Sequence, residues 1–189
     1  MEKSQKEIVL IAGANGVGKT TFARAFLQEY DYDFLNADEI AKNLSAEKPE
    51  ERRISPGKLF FKKLNEAVAQ NKSLLIESTL SGKYLQKFIE SVQKENYKIT
   101  IIFLFVASPG ILIERIAERV KKGGHFVPDK DVRRRFARGK QNFWKIYKTL
   151  VDKWHLYYNM EDNFQLVAIG EKDSLIYINE DLFGKFSEI

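Results

Sequence analysis

Short apolar runs alternate with longer stretches in which apolar residues return every three or four positions, and the alternation repeats along most of the chain. Residues 8–12 (Ile-Val-Leu-Ile-Ala) are apolar throughout and run into a glycine-rich turn, the pattern of a strand buried on both faces of a parallel sheet. Residues 19–29 then place Phe22, Ala25 and Phe26 at helical spacing. A second short strand is expected at 34–36 and a helix at 58–70, where Leu59, Phe60, Leu64 and Val68 follow a period of about 3.6. A strand at 73–78 and a helix at 83–95 come next. Residues 99–106 give the clearest central strand, β-branched and apolar, and 109–121 a helix whose Pro109 suits its first turn. Gly123-Gly124-His125-Phe126-Val127-Pro128 break the pattern. A long helix starts near Asp129, with Val132, Phe136, Phe143, Tyr147, Val151 and Trp154 along one face. Strands are expected at 165–169 and, at a sheet edge, at 175–178. Strands alternating with helices predict an α/β chain of three layers: a central, mostly parallel sheet with helices on both faces.

The turn after the first strand carries the chemistry. Gly13-Ala14-Asn15-Gly16-Val17-Gly18-Lys19-Thr20 matches G-x-x-x-x-G-K-[ST] in full, between a predicted strand and a predicted helix. Glycines at both ends let the backbone wrap a phosphate with its N–H groups inward. Lys19 supplies a point charge to the β- and γ-phosphates, and Thr20 a hydroxyl ligand for Mg²⁺. Thr21 continues the nucleotide-binding segment. These residues predict a nucleoside triphosphate, ATP or GTP, and Mg²⁺ as the bound groups.

Other candidates follow from where strands end. The carboxyl ends of strands in an open α/β sheet line the ligand crevice. Asp38, just past the second strand, is therefore placed to accept a hydroxyl proton during phosphoryl transfer, or to cap a helix. Glu77 closes the third strand, where an acidic group can orient Mg²⁺, water or a substrate hydroxyl, with Thr79 two residues on. Phosphoryl transfer also calls for positive charge where negative charge accumulates. Arg119, Arg133, Arg134, Arg135 and Arg138 flank the Gly123-Gly124 break, and one or two of them are expected to act from a helical lid. His125 is a candidate for phosphate or substrate contact.

Composition narrows the picture. The 189 residues suggest one domain with a lid at about 111–154, and the absence of cysteine excludes disulfides and thiolate metal sites. The polar, mixed-charge start and the shortness of the longest apolar run, 99–107, lead to the expectation of a cytoplasmic protein with no membrane partner. Charge is uneven: residues 111–153 hold thirteen Lys or Arg against five Asp or Glu. That suggests an anionic partner there, although most of these side chains suit a solvated helix surface equally well.

Together the motifs resemble the zeta toxin family of P-loop kinases, in particular its short, stand-alone members. The resemblance rests on 13–23, on Asn36-Ala37-Asp38-Glu39-Ile40-Ala41 and on Glu77-Ser78-Thr79-Leu80-Ser81-Gly82. It continues through Arg119-Val120, Gly123 to Pro128, Arg134-Arg135-Phe136 and Arg138. It implies a kinase-type P-loop fold in which Asp38 acts as catalytic base with Lys19, Arg119 and Arg134, while Arg135 and Arg138 steady the phosphates. It implies substrate contacts from Glu77, Thr79 and His125, and a small-molecule hydroxyl as phosphate acceptor. The best-known members phosphorylate the sugar of UDP-N-acetylglucosamine and are restrained by antitoxins; the motifs here do not themselves imply toxicity or an antitoxin. Two other readings stay open. One is a polynucleotide kinase using the basic segment, though nucleic acid is not the expected partner. The other is a nucleotide-binding regulatory module that transfers phosphate to no acceptor.

Overall fold

A parallel pair of strands needs a crossover between them, and the helices read from the pattern supply one after another. The computed structural model describes residues 5–37, 39–40, 55–160, 163–171 and 174–188. Its elements are β1 (Glu7–Ala12), α1 (Lys19–Glu29), β2 (Asp33–Asn36), α2 (Pro56–Ala69), β3 (Leu74–Ser78), α3 (Tyr84–Lys94) and β4 (Lys98–Phe105). There follow α4 (Pro109–Lys121), α5 (Asp129–Asn142), β5 (Lys153–Met160), β6 (Asn163–Glu171), β7 (Ser174–Tyr177) and α6 (Glu180–Ser187). Among the described residues the strands form one sheet in the order β2-β3-β1-β4-β5-β6-β7. β2 through β5 in that order are parallel, while β6 and β7 add on antiparallel. The fold is the expected three-layer α/β arrangement.

Register decides where the site lies. Ala12 at the end of β1 sits between Ser78 of β3 and Phe103 of β4, and Asn36 at the end of β2 lies opposite Glu77. The ends of β1, β2 and β3, with the glycine loop and residues 79–82 after two of them, therefore open onto one sheet edge. The sheet is packed on both sides. One layer joins Leu10, Ile76, Ile101 and Phe103 to α2, α3 and α6; the other joins Val9, Ile11 and Leu104 to Ala23, Leu112, Ile116, Val132 and Phe136. α5 belongs to the second layer, but the π turn that prolongs it, Phe143–Tyr147, is buried in the first. This helical rod therefore passes from one layer to the other. In the first layer Phe143 stacks on Phe103 at 4.4 Å and meets Trp154 edge-on at 5.6 Å, each pair contributing about 0.5–1.5 kcal/mol beyond area burial.

One expectation fails. The long helix does not reach Trp154: it ends with Lys148–Leu150, and Lys153–Met160 is the fifth strand. Asp152 makes the switch, its carboxylate accepting from the Ile99 N–H at 2.9 Å and from Lys98 Nζ at 3.1 Å. The Asp152 N–H donates back to the Ile99 carbonyl. Trp154, Leu156 and Tyr158 then face inward at the strand period of two. The lid segment drawn at 111–154 thus ends inside β5. A second element not anticipated is α6, started by Asn179, whose side chain accepts from the Leu182 N–H at 3.0 Å. No helix among the described residues is long and apolar enough to cross a membrane.

Candidate phosphate-binding site

The loop from Gly13 to Gly18 takes a path that side chains resist. Gly13 and Gly18 have φ of 134° and 94°, and a Cβ on Gly13 would collide with the Leu104 carbonyl. The Gly13 N–H donates to the Ser78 carbonyl at 3.2 Å, and the Val17 N–H to the Ala14 carbonyl at 3.3 Å. Lys19 Nζ folds back onto the Ala14 carbonyl at 3.1 Å, so its charge lies over the loop. α1 begins at Gly18 without a side-chain cap and without an acidic residue in its first turn. Its positive end is thus left to an anion. Behind the loop, a space of about 10 Å³ lined by Ala14, Val17, Phe136 and Lys140 is no larger than one water. Burial there pushes the Lys140 ammonium pKa below its usual range.

Beside the loop, Thr20 Oγ1 donates to Glu77 Oε2 at 3.2 Å. Glu77 is only 7% exposed, so the carboxylate ending β3 faces the threonine that opens α1. A hydroxyl and a carboxylate oxygen at this separation are hard donors of the kind Mg²⁺ takes, and they fit that ion. Asn36 Oδ1 accepts from the Glu39 N–H at 3.3 Å, which starts the chain turning after β2. Asp38 lies outside the described residues. Thr79 Oγ1 is 2.9 Å from Ser81 Oγ, Ser78 Oγ is 3.3 Å from the Tyr84 hydroxyl, and Leu80 holds a positive φ of 49° between them. Hydroxyl groups thus gather on the segment after Glu77. Thr21 is exposed on α1.

α5 crosses this edge and touches both loops. Arg135 Nη1 donates to Asn15 Oδ1 in the glycine loop at 2.8 Å. Gly139 lies against the Thr79 carbonyl, Asn142 Nδ2 donates to the Leu80 carbonyl at 2.8 Å, and the Tyr147 hydroxyl to the Gly82 carbonyl at 2.8 Å. At about 100° per residue, Arg138 falls about 60° from Arg135 and about 40° from Asn142, on the same stripe. Arg134 falls about 100° from Arg135 and is paired with Asp131 at 2.9 Å; Arg133 points to the far side. Arg119 donates to the His125 carbonyl at 2.6 Å, and both residues are exposed. Of the arginines expected to act, the fold therefore brings Arg135 to the loop and aligns Arg138 with it. The contacts of Arg119, Arg134 and His125 stay within the α4–α5 pair.

Two residues at the loop were not anticipated. Asn159 Nδ2, from the end of β5, donates to the Val17 carbonyl at 2.8 Å, and Arg115 of α4 reaches the Asn159 carbonyl at 3.4 Å. Neither was singled out as a site residue, and Asn159 comes 142 positions after its partner. A groove of about 670 Å³ along Gly57, Lys58, Phe61 and Lys62 of α2 includes no residue of the loop.

With this geometry in place, comparison with known proteins gives consistent relatives. A 27% identical protein of Haemophilus influenzae, itself uncharacterised, aligns over 132 residues, 70% of this chain and 94% of its own. Among solved structures, one from the PezAT chromosomal toxin–antitoxin system of Streptococcus pneumoniae superposes with a TM-score of 0.72 at 17% identity. It covers 100% of this chain and 81% of its own. The AvrRxo1-ORF1:ORF2 complex with ATP gives 0.70 at 15% identity over 98% of this chain, which spans only 64% of that one. These likenesses establish the P-loop kinase-like fold, in keeping with the zeta toxin resemblance of the motifs. The family model described as "AAA domain" matches residues 8–143, from the first residues of β1 to the π turn after α5, and the chain belongs to that family.

Proposed function

We propose that this protein is an ATP- and Mg²⁺-dependent phosphotransferase that phosphorylates a hydroxyl of a small molecule, with nucleotide sugars such as UDP-N-acetylglucosamine the first class to test. The observation that carries the reading is the Thr20–Glu77 hydrogen bond, 3.2 Å long, at the mouth of the glycine loop. It joins the threonine of the phosphate motif to a buried carboxylate on the neighbouring strand. The loop N–H groups and Lys19 hold the β- and γ-phosphates. Thr20 and Glu77 would hold Mg²⁺, which when bound neutralises charge on the phosphate oxygens. Asp38, two residues beyond β2, accepts the proton of the acceptor hydroxyl. Arg135 and Arg138 face the charge that builds on the transferred group, while Arg119 and Arg134 join them only when the lid closes. The hydroxyl-bearing segment Thr79–Ser81 receives the acceptor, with His125 reaching it only when the lid closes. The ATP of a structural relative supports the nucleotide, and the zeta toxin resemblance of the motifs supports the acceptor class to be tried first.

The test is a mass-spectrometric search for new phosphorylated products. The protein is incubated with ATP, Mg²⁺ and a metabolite pool enriched in nucleotide sugars, beside an Asp38→Ala control. A product that forms with the wild type and is lost in the control is expected. Tight ATP binding without any product would overturn the nucleotide-sugar assignment for that pool and favour nucleic-acid ends or a regulatory module.

A further inference from the structure

Asn159 is 1% exposed, at the last turn of β5 before the chain reverses into β6. Its amide is used on one side only. Nδ2 donates to the Val17 carbonyl at 2.8 Å, while Oδ1 is buried with no hydrogen-bond partner among the described residues. A buried acceptor left in that state costs about 1–3 kcal/mol, which offsets what the Nδ2 bond contributes. Stability is therefore a poor reason for an amide at this place. Its surroundings point to another. Asn159 Nδ2 lies 2.5 Å from where a Cβ on Gly18 would stand, and the Phe164 ring 3.3 Å from it. Phe164 is the cross-strand partner of Asn159 and packs edge-on against Phe22 of α1 at 5.1 Å. The Val17–Gly18 peptide thus rests on a rigid wall, and the one polar group of that wall takes its carbonyl.

The consequence follows from the planarity of the peptide. In a trans peptide the C=O and N–H point in opposite directions. Holding the Val17 carbonyl against β5 turns the Gly18 N–H away from β5, toward the concave side of the loop. With φ of 94°, Gly18 has the freedom to let this peptide flip, so something must hold it. We infer that Asn159 is a positioning residue for phosphate binding: its amide locks the Val17–Gly18 peptide so that the Gly18 N–H is preset for the nucleotide phosphates. This rests on the proposed reading of the glycine loop as a phosphate cradle. Arg115 serves the same end one step back, tying the carbonyl of Asn159 to α4.

The test uses Asn159→Leu, which keeps the shape and removes the donor, and Asn159→Asp, which presents an oxygen to the Val17 carbonyl. Binding of ATP and of inorganic tripolyphosphate is measured at pH 8 by calorimetry, thermal midpoints are taken without ligand, and the Gly18 amide is followed by ¹⁵N–¹H NMR. In the wild type that amide should move downfield when tripolyphosphate binds, as a hydrogen-bonded N–H does. In both variants affinity for either ligand should fall at least tenfold, and the Gly18 shift should be lost. Asn159→Leu removes the unpaired Oδ1 but leaves the Val17 carbonyl unpaired, so the two effects offset and its midpoint should stay near that of the wild type. A variant that binds tripolyphosphate within twofold of the wild type, or keeps the Gly18 shift, would overturn the inference. A merely structural role would instead lower the midpoint and leave the Gly18 response of the folded fraction intact. If Asn159→Asp does not fold, Asn159→Leu decides alone. Should the wild type bind neither ligand, the phosphate-cradle reading itself fails, and the inference with it.

Discussion

Two glycines inside helices respond in opposite ways to the same change, and the contrast tests how closely α5 is fitted to the site. Gly184 in α6 has nothing within 4 Å of an added Cβ. Gly184→Ala should therefore gain the helix propensity of alanine, about 0.8–1 kcal/mol. Gly139 in α5 would gain the same, but its Cβ would stand 2.5 Å from the Thr79 carbonyl oxygen. An ordinary carbon–oxygen contact is about 3.3 Å or more, so helix and loop must separate by about 0.8 Å. The obstacle is backbone on a loop already held by Asn142 and Tyr147, which cannot swing away as a side-chain tip would. Overpacking of this kind costs about 1–3 kcal/mol and outweighs the propensity gain at its upper end. For a chain of this size each kcal/mol moves the melting midpoint by about 2–4 °C. Gly184→Ala should raise the midpoint by about 2–4 °C, and Gly139→Ala should lower it by a similar amount. Displacing α5 also moves Arg135 and Arg138, and a shift near 1 Å in a positioning element costs on the order of 100-fold in rate. ATP turnover should fall at least tenfold in Gly139→Ala and stay unchanged in Gly184→Ala. If both variants gain stability and keep turnover, the close fit of α5 to the Thr79 carbonyl is wrong.

Lys19→Ala removes a charge aimed at the phosphates from a half-exposed position; ATP affinity should drop about 10- to 100-fold in calorimetry, with little change in the midpoint. Tyr147 gives an alkaline signature. Burial pushes its phenol up to about 12, so the stability it contributes is complete below pH ~10 and is lost as pH rises toward 12, about 2–3 kcal/mol in all. Tyr147→Phe leaves the Gly82 carbonyl unpaired and should cost about 1–2 kcal/mol at pH 8, yet its denaturation midpoint should meet that of the wild type between pH 10 and 12, where the wild type loses more than that. Parallel curves across that range would exclude this role for the phenol.

What could be read from the sequence was local. The strand before the loop, the helix after it and the loop itself follow from a run of apolar residues, a 3.6 period and an eight-residue motif. Lys19–Glu29 and Pro109–Lys121 end where the pattern said they would. The boundary at β5 was hidden by an accident of spacing. Phe143, Tyr147, Val151 and Trp154 are four, four and three residues apart, so the helical period runs unbroken through the point where the helix stops. No glycine or proline marks that point. What ends the helix is Asp152 docking on Ile99 in a strand some fifty residues earlier, a tertiary event with no local trace. The alternation of Trp154, Leu156 and Tyr158 was present but shorter than the competing pattern.

The same distinction separates the two halves of the site. Gly13 to Thr20 is legible because the backbone conformation a phosphate demands restricts neighbouring residues to glycine, lysine and threonine, all in one stretch. The rest is assembled across the fold, with Glu77 meeting Thr20, Arg135 meeting Asn15 and Asn159 meeting Val17. Five clustered arginines could be counted but not sorted, because sorting depends on the direction of α5. Once Arg135 and Asn142 fix that direction, Arg138 falls on the inner stripe and Arg134 does not. The rod that sets it is one continuous helical segment, touching the glycine loop at Asn15 and the segment after Glu77 at Thr79, Leu80 and Gly82. A displacement at either end is therefore transmitted to the other through packed backbone. That makes α5 the element that ties the geometry of the glycine loop to that of the segment after Glu77.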